Sequence, residues 1–459
     1  MAHSKNVLTA NKAAELLSYV INSDPVLSAE IDLPVQGQSI KEYGKLIIDN
    51  QRYKNAFINT INLIGLTVIK RNAWSSPWDF TNRGVLRYGQ SVREIILDLV
   101  DAHDYNTKFT DKDAFLDTYV PDVYQFIHDI NFQKFYATTT SDAQLAMAFE
   151  SEDGLFDFID KAVGMLWESL EYDRYIINKY MLCRRILDGT VTPVYMSSYD
   201  TMTNRERVAA MKSVSNKMSF RSPNYNPAGI RKATDFDDQI LIMNTDFEAD
   251  FTTDVLATSF FRDEADYRAR LVLIDGFDNH DDARLTEVLG SAYDDFSATE
   301  LGYLANIPAV LVSREWFMNY VYAMDANSAE YKTTEFYNPT TLENNHFLHF
   351  WGVFATSPFE NAAVFTSQAS TVTGVTVSPS AASVVKGTTI KLTANVATTG
   401  FANKGVLWST SDATKATVDQ YGNVTTLAAT AQNTPVVITA TSIYDNTAIG
   451  TASITITNS

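Results

Sequence analysis

Six histidines are spread through the 459 residues, and only His346 and His349 stand close enough to share a ligand. At that spacing two imidazoles could meet on one helical turn, yet no carboxylate or third ligand follows at a useful distance. Phe347, Phe350 and Trp351 around them suit aromatic packing instead. The run Asp275-Gly276-Phe277-Asp278-Asn279-His280-Asp281-Asp282 is acidic enough to attract a hard cation. Its spacing does not match a calcium loop with alternating oxygen ligands and a distal bidentate Glu, so it reads as a solvated loop. The single cysteine, Cys183, lies on an apolar stripe with Tyr180, Ile186 and Leu187, which is the setting of a core thiol and not of a nucleophile. No phosphate-binding loop and no Gly-x-Gly-x-x-Gly occurs. No catalytic residue, cofactor or metal is expected.

The elements that would have to carry any chemistry are a long helix, scattered strands and an acidic surface. Lys and Arg total 36 against 55 Asp and Glu, a net charge of −19, which argues against gripping nucleic acid. Aromatic residues make up 12% of the chain, as suits deep cores or broad subunit interfaces. Ser141-x-x-Gln144 forms a capping box. Beyond it Leu155, Ile159, Ala162, Val163, Leu166, Trp167 and Leu170 recur at helical spacing. Tyr175, Ile176, Lys179, Tyr180, Cys183, Ile186 and Leu187 continue the pattern until Gly189 ends it. That predicts one long helix of roughly thirty residues, against a mean of about a dozen. Strands are expected at Gly65–Lys70, Val85–Leu86, Gln239–Met243, Arg270–Ile274, Ala309–Val312 and His349–Ala355. The Ser-, Asn- and Pro-rich stretch 192–235 reads as a long loop or insertion. The amphipathic start (Ala13, Leu16, Leu17, Val20, Ile21) lacks the pattern of a secretory signal, no run is apolar enough to cross a membrane, and the protein is expected to be made in and to work from the cytoplasm.

Composition changes near residue 370. From Gly374 onward there are four Lys, three Asp, no Arg and no Glu, a net of +1 that leaves −20 on residues 1–373. Period-two runs of Val, Ile and Thr, broken at Lys386-Gly387, Tyr421-Gly422-Asn423 and Asp445-Asn446, specify an antiparallel sandwich around Trp408. Val375-x-Val377-x-Pro379, Lys386-Gly387-Thr388, Val406-x-Trp408-x-Thr410-Ser411, Ala416-Thr417-Val418 and Gly422-x-Val424-Thr425 resemble the bacterial Ig-like group 2 (BIG2) domain. Asn433-Thr434-Pro435 replaces the Gly usual before its late strand.

The larger part carries a second resemblance. Ile64–Arg71, then Trp74-Ser75-Ser76-Pro77-Trp78, Arg83-Gly84-Val85 and Leu86–Ile96 form two strands joined by an arm too polar to bury itself. Asp238–Ile242, Asp246–Asp250, Asp254–Ala257, Val272–Phe277, Ala309–Val312, Trp316–Met318 and Phe359–Phe365 follow in order. Together they resemble the major capsid proteins of small short-tailed phages of the phi 29 group. The resemblance implies an α+β tailed-phage (Hong Kong 97 type) capsid fold over residues 1–370, followed by the all-β immunoglobulin-like sandwich at 374–459. Its parts would be an N-terminal arm at about 1–55, an extended loop at about 64–97 and a spine helix at about 141–188. An axial domain at about 190–345 and a returning peripheral strand at about 346–366 complete it.

The implied function is structural: self-assembly into hexamers and pentamers of an icosahedral virion capsid. The implied partners are a scaffolding protein, a portal, head fibres or minor capsid proteins, and packaged double-stranded DNA enclosed without sequence-specific binding; no membrane is involved. Lys70, Arg71, Trp74, Trp78, Arg83 and Arg87 on the extended loop are the candidate inter-subunit contacts, with their cations facing an acidic body. No Lys–Asn crosslink is predicted. The rival class is a bacterial surface adhesin or glycan-binding protein with an Ig-like module, which predicts a signal peptide or anchor. An enzyme with an accessory Ig-like domain is the third, and it requires a catalytic constellation.

Overall fold

The computed structural model describes residues 21–22, 25–31, 40–50, 52–55, 57, 76–86, 91–100, 102, 123–141, 143–144, 147, 164–197, 199–254, 270–323, 332–341, 343–427 and 434–457. Two compact units divide the chain, one made of 1–92, 127–177 and 318–355, the other of 93–126, 178–317 and 356–459. The expected strand at Gly65–Lys70, the residues before Ile21 and the first half of the expected long helix lie outside the described residues.

The strands before residue 370 run β1 (Asn82–Leu86), β2 (Ser91–Leu97), β3 (Val123–Asp129), β4 (Phe132–Ser141), β5 (Thr192–Tyr195) and β6 (Gln239–Asn244). After them come β7 (Leu271–Ile274), β8 (Ala309–Ser313), β9 (Asn319–Tyr322), β10 (Lys332–Asn338), β11 (Glu343–Val353) and β12 (Ala362–Thr366). Three helices matter for the argument: α1 (Met165–Leu187), α2 (Asn204–Met218) and α3 (Asp282–Leu289).

In the first unit the sheet order is β1-β9-β11-β10, with β4 also paired to β11. β11 alternates strictly, burying Asn344, His346, Leu348 and Phe350 while the residues between them face outward. Asn131 brackets the end of this sheet, donating from Nδ2 to the Phe354 carbonyl (2.7 Å) and accepting from the Phe354 amide (2.9 Å). Phe132 packs edge-on against Phe350 and Phe354. The Tyr136 hydroxyl donates to Asp173 on the first part of α1 at 2.7 Å, tying sheet to helix.

In the second unit the order is β5-β12-β8-β6-β7. β8 and β12 are buried at every position and β6 at all but its last, the pattern of strands covered on both faces. Leu241, Met243, Ala309, Leu311, Ala363 and Phe365 form one side and pack on α2 through Val208, Met211, Val214 and Met218. α2 corrects the expectation of a loop over 192–235. Thr203 and Glu206 make a full capping box, and the apolar positions fall at helical spacing on one face. β5 precedes it.

The C-terminal part of the expected long helix is α1, 23 residues from Met165. Ser141 ends β4 and exchanges the two capping-box bonds with Gln144 at 3.0 and 3.3 Å. Gly189 closes α1 at φ +70°, its amide bonding the Ile186 carbonyl at 3.0 Å and that of Thr190 bonding Arg185 at 3.1 Å. Lys179, Tyr180, Cys183 and Arg184 share one face of α1 and hold the segment 275–300. Lys179 reaches Asp275 at 2.5 Å, the Tyr180 hydroxyl accepts from the Asp294 amide at 3.0 Å, Cys183 donates to the Phe277 carbonyl, and Arg184 donates to the Asp295 carbonyl at 2.7 Å. The acidic run expected to be a solvated loop is thus partly fastened to α1.

The C-terminal sandwich comprises β13 (Thr371–Ser378), β14 (Ala381–Val385), β15 (Thr389–Lys391), β16 (Thr393–Thr399), β17 (Val406–Thr410), β18 (Ala416–Val418), β19 (Asn423–Thr426), β20 (Thr434–Ser442) and β21 (Ile449–Thr457). They pair as β14-β21-β20-β17, β13-β16 and β15-β19-β18. Val377, Leu392, Val424, Val436, Ile438, Ile454 and Ile456 fill the core, with Trp408 half-buried against it. Gly422, at φ +80°, brings the turn so close to Trp408 that a Cβ would lie 3.0 Å from the indole. Among the described residues no helix is long and apolar enough to cross a membrane.

Candidate assembly surfaces

Residues 76–86, in the expected extended loop, are built into the chain's own core. Trp78 is 2% exposed, stacked at 5.8 Å on Phe80 and tilted at 6.4 Å against Tyr175. The Thr81 hydroxyl donates to the Trp78 carbonyl at 2.7 Å and accepts from Asn319 Nδ2 at 2.9 Å. β1 then pairs in parallel with β9. Trp78 therefore has almost no surface left for a neighbour and packs the start of β1 into the core instead. Arg83 lies half-buried on β1. Lys70, Arg71, Trp74 and Arg87 lie outside the described residues.

The next surface escaped sequence reasoning. Among the described residues β2 and β3 pair as a two-stranded ribbon. Ile95 is 60% and Leu97 61% exposed, and Val123, Tyr124 and Phe126 are exposed beside them. A two-stranded ribbon cannot bury both faces by itself, and aliphatic and aromatic side chains left in water on it mark a contact site. The signal in the sequence was Ile95-Ile96-Leu97: adjacent apolar residues put apolar surface on both faces, which a half-solvated strand would avoid.

A third surface is the outward face of β4, β11 and β10. The register brings His349 opposite Phe135 and Lys332, and Phe347 opposite Ala137 and Thr334. Phe135, 62% exposed, meets Phe347 edge-on at 5.9 Å, and Phe336 and Trp351 are exposed on the same sheet. His346 and His349 do not converge. β11 is a strand, so positions three apart point to opposite faces. His346 Nε2 bonds Thr140 Oγ1 and His349 Nε2 bonds Thr334 Oγ1, each at 2.8 Å. Partial burial, with Lys332 nearby, lowers the His349 pKa.

Other candidate chemistry is structural. Cys183 is fully buried, and burial pushes its thiol up to about 12. Asp281 caps α3 by accepting from the Arg284 amide at 3.1 Å. Asp275 accepts from Lys179 and, at 2.7 Å, from Asn279 Nδ2. No group of three or more His, Cys, Asp or Glu positioned for a metal occurs among the described residues.

The sandwich is seated on the second unit's own shell part. Phe401 is fully buried with its ring edge-on to Tyr303 at 6.1 Å. The backbone of Asn403 approaches Gly189 so closely that a Cβ there would stand 2.4 Å from Asn403 Cα.

Comparison with known proteins matches this architecture in two blocks. The Phi29-like phage major capsid protein family matches residues 30–366, and the bacterial Ig-like domain (group 2) matches residues 371–449. The major capsid protein of Bacillus phage GA-1 is 26% identical over 405 residues, covering 86% of this chain and 78% of that one. The major capsid protein of Bacillus phage B103 is 27% identical over 403 residues, covering 86% and 82%. Among solved structures, the capsid of Staphylococcus phage Andhra aligns at 13% identity with a TM-score of 0.48, over 64% of this chain and 84% of that one. With the family matched along most of its length, the chain belongs to the Phi29-like phage major capsid proteins, structural building blocks of the virion shell, and carries a group 2 Ig-like domain behind its last capsid strand.

Proposed function

We propose that the chain assembles in the host cytoplasm into the hexamers and pentamers of an icosahedral head of Hong Kong 97 type, with each subunit's extended loop, about 64–97, docked on its neighbour. The β2–β3 ribbon supports this reading, because Ile95, Leu97 and Phe126 are 60%, 61% and 46% exposed on it. Burying two or three such side chains contributes on the order of 1.5–3 kcal/mol each per contact, repeated at every subunit. Lys70, Arg71, Arg83 and Arg87 steer the loop onto an acidic body, and Trp78 holds its base. The arm at about 1–55, the spine helix at about 141–188, the axial domain at about 190–345 and the returning strand at about 346–366 complete the layout. Scaffolding protein, portal, head fibres and minor proteins are the further partners. The head encloses double-stranded DNA, and its overall acidity keeps the wall from holding phosphate. The Ig-like module decorates or braces the outer surface.

The pair Ile95→Asp and Phe126→Asp tests the docking. Both side chains are exposed, so the monomer should fold with unchanged circular dichroism, while sedimentation velocity should show loss of capsomer-sized species. Assembly at the wild-type yield would rule the ribbon out as the docking element.

A further inference from the structure

The second unit contains two segments of opposite charge. Residues 201–232 hold seven Lys and Arg against one acid, Glu206, a net of +6 in a chain of −19. Residues 275–300 hold eight Asp and Glu against one Arg, a net of −7.

The positive segment is displayed by α2. Its buried stripe packs on β6, β8 and β12, which turns Arg205, Ala209, Lys212, Ser213, Asn216 and Lys217 to the exposed side. Arg205 and Lys212 are seven residues apart and so stand two turns apart on one line. Arg221 follows just beyond the helix, also exposed. The one carboxylate of α2, Glu206, is engaged by the amide and hydroxyl of Thr203 at 2.8 and 2.9 Å. Among the described residues Arg205, Lys217 and Arg221 make no ion pair.

The negative segment surrounds α3. Its own-chain cations are Lys179, Arg184 and Arg284, which take up Asp275, Asp294, Glu300 and Glu287. The exposed carboxylates of Asp278 and Asp295 are left without an ion pair among the described residues. These four pairs are made with α1 and within α3, not with α2.

We propose that the exposed face of α2 docks on the 275–300 segment of an adjacent copy of this chain, a contact that rests on the self-assembly reading above. A ring of identical subunits related by rotation is head-to-tail: each contact joins two different patches of the same surface. One positive and one negative patch on one unit meet that requirement, and they set both direction and register by charge. Ala209, Ser213 and Asn216 between the cations are short, so the partner's acidic side chains reach the helix flank without obstruction. An assembly of net acidic subunits needs such a local attraction to overcome their general repulsion.

The test uses the full chain in three forms. The first reverses the helix with Arg205→Glu, Lys212→Glu and Lys217→Glu. The second reverses the acidic segment with Asp278→Lys, Glu287→Lys and Asp295→Lys. The third carries all six. A neutral form with Gln at 205, 212 and 217 guards against misfolding, and circular dichroism confirms each fold. Self-association is followed by sedimentation velocity at 50 and 500 mM salt, closed shells by electron microscopy, and binding of a 30-base-pair duplex by fluorescence anisotropy. The expected result is at least a ~10-fold slower association for each triple reversal at 50 mM salt, a smaller loss for the neutral form, and recovery in the six-fold variant. Association of either reversal at the wild-type rate overturns the contact, as does a six-fold variant that stays dissociated. A helix reversal that assembles normally but loses duplex binding assigns the face to nucleic acid and equally overturns it. Salt-sensitive association of the wild type without closed shells supports the contact and removes the shell reading instead.

Discussion

His280 shows how one buried ring ties stability to pH. Burial, with the Lys179 ammonium nearby, lowers its pKa to about 4, and its ring stacks on Phe296 at 4.3 Å, which also contacts the Arg184 guanidinium. The folded chain thus favours neutral imidazole. An unfolded chain takes up the proton near the ordinary value of 6.5, so this contribution is complete above that pH and is lost as pH falls through about 4. His280→Phe preserves a stacked ring and removes the titration. Urea midpoints measured between pH 7 and pH 4 should fall less for this variant than for the wild type; parallel decline would show that His280 does not contribute. The proton-sensitive role was not legible in the sequence, because Phe296 and Lys179 reach His280 only through the tertiary fold. Cys183 was legible, since helical spacing alone placed it on an apolar stripe.

Among the elements, α2 was the one misread. Ser, Asn and Pro dominate residues 192–235 and favour turns, but Thr203-x-x-Glu206 and the spacing of Val208, Met211, Val214 and Met218 encode a helix. Weighing composition over a whole window hid a pattern only fifteen residues long. Thr203→Ala removes the cap and should lower unfolding free energy by about 1 kcal/mol, measured by chemical denaturation; no change would mean that the helix is set by packing alone. The expected strands at 239–243, 270–274 and 309–312 correspond to β6, β7 and β8, because buried strands advertise themselves as continuous apolar runs. Their order in the sheet was hidden, as was the pairing of β4 with β11 across some two hundred residues. Nothing local in either strand specifies that partner. The ribbon β2–β3 belongs to the same class: β2 overlaps the expected strand segment ending at Ile96, while β3 (Val123–Asp129) had no counterpart among the expected strands.

At the scale of the molecule, the C-terminal sandwich has its own core and begins beyond the last capsid strand, as β12 ends at Thr366 and β13 starts at Thr371. It is nonetheless seated, with Phe401 buried against Tyr303 and Asn403 against Gly189. Deleting 374–459 should leave a shell part that folds and assembles. Uncovering the Phe401 seat should cost about 1.5–3 kcal/mol, read as a lower melting temperature by calorimetry. Failure to obtain soluble truncated protein would show that the module is needed for folding.

This chain builds a shell from copies of itself, and electron microscopy of the purified 459-residue chain, with and without an added scaffolding protein, is the decisive measurement. Shells, tubes or capsomer-like rings are the expected result, and a protein that stays monomeric and assembly-incompetent under both conditions would contradict it.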